Sequence, residues 1–573
     1  MRARSYRSYL VAATVLSSPL WATPALADCV SQAPVDPNQV VCDNPGTGGW
    51  NGASTASTVV TVNAGSTVST NVGGPAVISV GANSAVINFS GSFDNSWNGL
   101  YGIDAGSSSG AAISAGAGSI VTNASNAEIQ GTITFGNATG STVNVLNNNY
   151  SSSGATNLIG YVSGDISAQG NFTFNNGGIV DSSVFQTGAG SVTIDNGLDG
   201  GWVSVASGSY DYQNGVIWAT GSDAINTEGS TTLVNRGGGN TMGSLINGNV
   251  VLGTGATGTS TLTNGSVDYG NATIMGSVFM NDFNNTVTND GTITGDVTFT
   301  GGGTNTFNAG STDSGGDNGL RLPGSAIDGL GNPAGVVTGT LTGGTAAGAV
   351  NVLNLNGINT STLQAGTTIL NFQTVNRNDG GTWIVKSTLD GNPGMLTTVN
   401  NNAGGILSLD NAAFLGSAAT TVHNSSTGGG LGGLIFNGTQ AGTFAGNIDG
   451  TGTVGVTGAN ATTFTGTNTY TGLTYINTGG VLNADSTGAL SANSDMYMWN
   501  GTLNVNANNS VRNLIDYFSA NTSVVNMLDG CALSLPCHVR GELPVGLMVW
   551  HGALHDDAVL NIGLRAEELL QKQ

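Results

Sequence analysis

The run Ile448 to Leu482, IDGTGTVGVTGANATTFTGTNTYTGLTYINTGGVL, constrains the fold of this chain more than any other stretch. Apolar-alternating segments (Val454/Val456, Thr463/Phe464, Tyr475/Ile476, Val481/Leu482) are cut by Gly450, Gly452, Gly458, Gly466, Gly472 and Gly479. Period-two alternation sends successive side chains to opposite faces of a strand, and glycine supplies the positive φ of a tight corner. No connection here is long enough for a crossover helix, so each short strand must stack on neighbours above and below it. Composition points the same way. Of 573 residues 93 are Gly and only 8% are charged, yet 39% are hydrophobic. Disorder goes with high charge and low hydrophobicity, so this chain buries surface. Glycine inside a strand costs roughly 0.5–1 kcal/mol relative to Ala. That cost vanishes at corners, and a solenoid has corners on every turn.

From roughly Val59 to Gly310 a second signature recurs, apolar-x-Gly-x-apolar-x-apolar. It reads Ile129-Gln-Gly131-Thr-Ile133-Thr-Phe135, Val162-Ser-Gly164-Asp-Ile166-Ser-Ala168 and Ile246-Asn-Gly248-Asn-Val250-Val-Leu252. It returns at Ile274-Met-Gly276-Ser-Val278-Phe-Met280 and Ile293-Thr-Gly295-Asp-Val297-Thr-Phe299. The irregular spacing fits rungs of about 20–30 residues, some of them diverged. Odd positions are apolar and even ones polar, so one face turns inward, and adjacent rungs must complete its core. Abundant Asn, Ser and Thr then stack as hydrogen-bonded ladders along the solenoid. The predicted fold is all-β: a right-handed parallel β-helix over most of residues 45–530, with a short unrelated C-terminal tail.

Residues 1–27 read as a secretory signal, with Arg2, Arg4 and Arg7 before an apolar core from Leu10 to Trp21 and a small-x-small site at Ala25-Leu26-Ala27. Cleavage is expected before Asp28. Cys29 and Cys42 follow in a cap segment, 28–44, and in an oxidising compartment they form a disulfide. The solenoid divides into 45–310 and 337–530. Between them 311–336, with two prolines and Gly/Asp/Ser clusters, is either a protruding loop or a junction between arrays. The tail, 531–573, changes character, and Leu564 to Lys572 is a candidate short helix.

Chemistry is sparse. The net charge is −22, and between Asp28 and Gly530 the only basic residues are Arg236, Arg321, Arg377, Lys386 and Arg512. Such a surface repels phosphate backbones and anionic headgroups, which excludes nucleic acid as a partner. His423 is the only histidine before residue 531 and has no acidic or nucleophilic motif beside it. Asp313 to Gly319 (DSGGDNG) is the nearest text to a serine-protease turn, but its order is wrong. No His-Glu-x-x-His occurs, and Cys531 with Cys537 lacks a partner pair at zinc spacing. Gly164-Asp165 and Gly295-Asp296 sit at outward positions, as a solvated face or turn cap does. Trp97, Trp202, Trp218, Trp383 and Trp499 read as packing or capping residues before sugar platforms. No catalytic residue, metal ligand or cofactor is expected.

The line Phe464-Thr-Gly-Thr-Asn468-Thr-Tyr470-Thr-Gly472-Leu-Thr474, with Gly479-Gly-Val-Leu482, resembles the autotransporter-associated β-strand repeat. The resemblance is most recognisable over 434–505 and implies the passenger domain of a self-exporting Gram-negative surface protein. The residues after 530 are too few for the family's C-terminal barrel, since eight strands need about 80 residues. The tail then reads as unrelated sequence after a truncation or frame break. The resemblance, with the lack of catalytic groups, implies a non-enzymatic adhesin or self-associating passenger. Its partners are surface glycans, proteins or its own copies, at the cell surface or, without a barrel, in the periplasm. The alternatives are a β-helix polysaccharide-degrading enzyme and a nonfunctional exported fragment.

Overall fold

A computed structural model of the chain describes most of residues 29–505, together with 531–536, 546–551 and 556–570. Residues 1–28, 311–335 and 506–530, and shorter stretches including 93–99, 198–214 and 266–271, lie outside the described residues. The expected leader and its cleavage site fall there.

Each coil of the chain runs through three short strands, and each strand pairs in parallel with its counterpart one coil later. Ile103–Asp104, Ala111–Ala115 and Ile120–Asn123 pair with Glu128–Gln130, Thr132–Ala138 and Asn144–Asn148. The same three ladders, here called faces 1, 2 and 3, continue to Val336–Val337, Leu341–Thr342 and Val350–Leu355. This is a parallel β-helix, in which in-register stacking gives every strand two partners and hides its edges.

The repeated signature is the corner between faces 1 and 2. Ile129 pairs with Val162 and Ile133 with Ile166, while Ile246 pairs with Ile274 and Val250 with Val278. Its glycines stack directly. A Cβ on Gly164 would lie 2.4 Å from the carbonyl oxygen of Gly131, and one on Gly276 would lie 2.3 Å from that of Gly248. Coil-on-coil contact at this corner leaves no room for a side chain. The segments without the motif still form coils, as at Ile179–Val180, Val184–Thr187 and Ser191–Asn196.

Face 3 is the longest ladder. Its central inward position is occupied in successive coils by Val60, Val86, Val121, Leu146, Phe174, Ile194, Leu233 and Leu262, all at most 1% exposed. The column runs on through Val287, Phe307, Leu353, Val375, Val399, Val422 and Ile448. One apolar core thus extends along the whole stack.

Coils on either side of 311–335 pair directly: Thr304 to Ala309 lie against Val350 to Leu355. Phe299 meets Phe372 edge-on at 6.4 Å across the same boundary. Of the two readings of 311–336, the stack is therefore continuous past the segment. Its cross-section changes beyond it: face 1 ends at Val336–Val337, face 2 ends at Ile369–Leu370, and a new ladder starts at Thr360–Leu363. That ladder carries two of the 448–482 strands, Val454–Thr457 on Leu434–Asn437 and Thr474–Asn477 on Val454–Thr457, while Ala461–Phe464 and Val481–Ala484 pair in a separate ladder. Gly450, Gly458 and Gly479 take positive φ at its corners.

Cys29 and Cys42 are joined by a disulfide that ties the first antiparallel strand, Val30–Gln32, to the first coil. In the tail an antiparallel hairpin, Cys531–Pro536 with Gly546–His551, precedes a helix at Asp556–Leu570. The helix begins eight residues before the expected Leu564. No described helix is long and apolar enough to cross a membrane.

Candidate functional surface

The last position of eight successive face 3 strands points inward and carries asparagine: Asn88, Asn123, Asn148, Asn176, Asn196, Asn235, Asn264 and Asn289, all fully buried. From Asn88 to Asn264 each Nδ2 donates to the Oδ1 one coil ahead at 2.7–3.0 Å. Its second proton goes to a carbonyl at the corner between faces 3 and 1, such as Ala127 O for Asn123 and Thr292 O for Asn264. A buried amide costs several kcal/mol unless its groups are paired. Here the column pairs them and closes the corner as well.

The column lapses at Ala309, Leu355 and Arg377 and resumes with Asn401 and Asn424, joined at 2.8 Å. A second buried column, Asn285, Asn305 and Asn351, covers part of the gap from the opposite end of the same strands. Arg377 stands in an asparagine position, fully buried. Its Nη1 donates to Asp379 O at 2.6 Å and its Nη2 to Gly381 O, the corner service that asparagine performs elsewhere. Its Nε and Asn401 Oδ1 have no hydrogen-bond partner among the described residues. Burial drives its pKa down to about 10, against the pull of Asp379.

The outward side of face 3 is equally regular. One column reads Thr173, Thr193, Thr232, Thr261, Thr286 and Thr306, then Val352, Thr374, Thr398 and Thr421. The next reads Asn147, Asn175, Asp195, Val234, Thr263, Thr288, Asn308, Asn354, Asn376, Asn400, His423 and Asp449. Its amides are ordered by one another, Asn354 on Asn308 and Asn376 on Asn354 at 2.7 and 2.8 Å. The charged members are matched. Asp195 takes a bidentate pair from Arg236 at 2.6 Å, and His423 Nδ1 lies 2.6 Å from Asp449 Oδ1.

His423 is thus an outward ladder residue facing a carboxylate. Asp165 and Asp296 cap the next coil, accepting from the amides of Ser183 at 3.3 Å and Thr340 at 2.7 Å. Buried Asp282 accepts from Ser230 and Ser260 at 2.7 and 3.1 Å and clamps two coils together. Burial lifts the Asp410 carboxyl above its usual range, opposed by the charge of Lys386. Among the described residues no three His, Cys, Asp or Glu side chains converge as a metal site requires. A shallow groove at the C-terminal end is lined by Thr463, Asn483, Asp485 and Asn504, with a single carboxylate. Of the tryptophans, Trp383 is buried and donates to Asn356 O at 2.9 Å, while Trp499 is 69% exposed on the last described coil.

Reading the sequence for catalytic motifs missed the outward threonine column. The signal was present as a recurring Thr-apolar-x-Asn string, in Thr232-Leu-Val-Asn235, Thr261-Leu-Thr-Asn264 and Thr286-Val-Thr-Asn289. No family model, curated protein or solved structure matches the chain.

Proposed function

We propose that this chain is the exported, non-enzymatic passenger of an autotransporter-type surface protein of a Gram-negative bacterium, acting by adhesion or self-association. The observation that carries the reading is the repeated, self-satisfied polar surface of the stack. Its described carboxylates Asp165, Asp195, Asp282 and Asp296 are engaged in clamps, caps and ion pairs. What is left to meet a partner is a long array of identical hydrogen-bonding groups, suited to multivalent contact with glycans, proteins or other copies. The autotransporter-like repeat at 448–482 and the signal-like residues 1–27 support export to the surface.

The test is to display residues 28–530 on a Gram-negative cell through a heterologous translocator barrel. Suspensions are then scored for settling and for attachment to glycan- and protein-coated plates. The proposal expects cells that clump or attach more than cells carrying the barrel alone. Unchanged settling and attachment would count against it, and release of reducing ends from polysaccharides would point to the enzyme alternative.

A further inference from the structure

The outward side of face 3 has a property that adhesion does not require. In three successive coils it presents a two-by-three grid of Thr261/Thr263, Thr286/Thr288 and Thr306/Asn308, paired in register. Adjacent coils set the grid spacing at about 4.8 Å, and two residues along a strand set it at about 6.8 Å. The two columns stay free of charged residues from Thr261 to Asn400, in a chain of net charge −22. They carry no aromatic residue over that span, so nothing offers a sugar ring a stacking platform.

The grid is also rigid. Asn264 and Asn289 are linked behind it at 2.8 Å, and Asn308 donates to Thr288 Oγ1 at 3.0 Å on its surface. Side-chain ladders of this kind hold stacked strands flat. β-Branched threonine has few rotamers, so each hydroxyl and methyl is fixed in place before any ligand arrives.

A ligand matching this surface is flat, uncharged and itself periodic in two dimensions on a scale of a few ångström. From this juxtaposition we infer that face 3 binds the surface of crystalline ice, its threonine methyls and hydroxyls ordering water into the lattice. Anionic and cationic ligands find no counter-charge here. A second copy of the chain is the competing occupant, and it separates from ice in the test.

The full chain is purified and measured for thermal hysteresis and for inhibition of ice recrystallisation, beside Thr286→Tyr and Thr298→Tyr. Thr286 lies in the centre of the grid, whereas Thr298 is an outward residue of face 2. The inference expects a freezing-point gap and small ice grains for the unsubstituted chain, both lost in Thr286→Tyr and both kept in Thr298→Tyr. Circular dichroism establishes that each variant retains its β-structure. No gap and no grain-size effect from the folded, unsubstituted chain overturns the inference. So does a dimer seen in sedimentation that Thr286→Tyr dissolves while ice growth stays unaffected, which would assign the face to a second copy.

Discussion

Asn175 and Asn176 are adjacent in one strand and make matching ladder bonds on opposite sides of the sheet. Asn176 is buried; its Nδ2 donates to Asn196 Oδ1 at 2.8 Å and to Val216 O at 3.3 Å. Its Oδ1 accepts from Asn148 Nδ2 at 2.9 Å and from the Gly178 amide at 3.3 Å. Replacing it with Ala removes those bonds and leaves Asn196 Oδ1 without its donor where water has no access. A lost bond is worth about 1 kcal/mol, and a buried orphan costs about 1–3 kcal/mol. Asn176→Ala should therefore destabilise by roughly 2–4 kcal/mol. Asn175 donates to Asn147 Oδ1 at 2.8 Å on the half-exposed side, where water replaces the partner. Asn175→Ala should cost about 0.5 kcal/mol or less. Urea titration gives the two free energies, and hydrogen exchange over 172–196 locates the loss. Equal effects, or an Asn176→Ala cost under about 1 kcal/mol, would refute the claim that the inner column holds the coils together.

Three further predictions test other parts of the stack. Arg377→Asn should stabilise the chain by about 1–3 kcal/mol in urea titration, because it removes a buried charge and offers Asn401 Oδ1 a donor; destabilisation would mean that the guanidinium's bonds to the corner outweigh its burial. Gly276→Ala should destabilise by about 1–3 kcal/mol or more, since its Cβ would meet the Gly248 carbonyl oxygen at 2.3 Å; an unchanged urea midpoint would contradict the stacked-glycine corner. Tyr470 is fully buried and bonded to Thr474 Oγ1 at 2.7 Å, and burial raises its pKa from 10.0 to about 12. The unfolded phenol ionises first, so this stabilisation is complete below pH 10 and is lost between pH 10 and 12. The loss is on the order of 2–3 kcal/mol. Urea midpoints across that window should fall for the native chain and fall less for Tyr470→Phe; parallel slopes would contradict the assignment.

The coil architecture was legible because two local signals agree. Ile129 and Ile133 alternate about Gly131, and the same pattern at Val162 and Ile166 stacks on them residue for residue. The existence of polar ladders was also legible, but not their register. Coils differ in length, so Asn176 and Asn196 lie 20 positions apart but Asn196 and its partner Asn235 lie 39 apart. The change of cross-section near Thr360 was hidden because Asn, Thr and Gly dominate on both sides of it. Pro323 and Pro333 left open whether 311–336 is a loop or a junction: proline interrupts a strand locally but says nothing about which coils pair across the interruption. In the tail, Asp556 and Asp557 open the helix at its N-terminus, where negative charge is favoured, a signal that the reading of Leu564 to Lys572 as a candidate helix overlooked.

Whether coil lies on coil in the stated register is tested most directly by engineered cysteine pairs, in a chain whose Cys531 and Cys537 are replaced by Ser. Thr261 and Thr286 are register partners in adjacent coils, whereas Thr261 and Thr306 lie two coils apart. Adjacent coils bring Cα atoms to about 4.8 Å, within disulfide reach, and two coils separate them by about 10 Å, beyond it. Mild oxidation should cross-link Thr261→Cys with Thr286→Cys and leave Thr261→Cys with Thr306→Cys reduced. Failure of the first pair, or equal cross-linking of both, would contradict a parallel stack of coils.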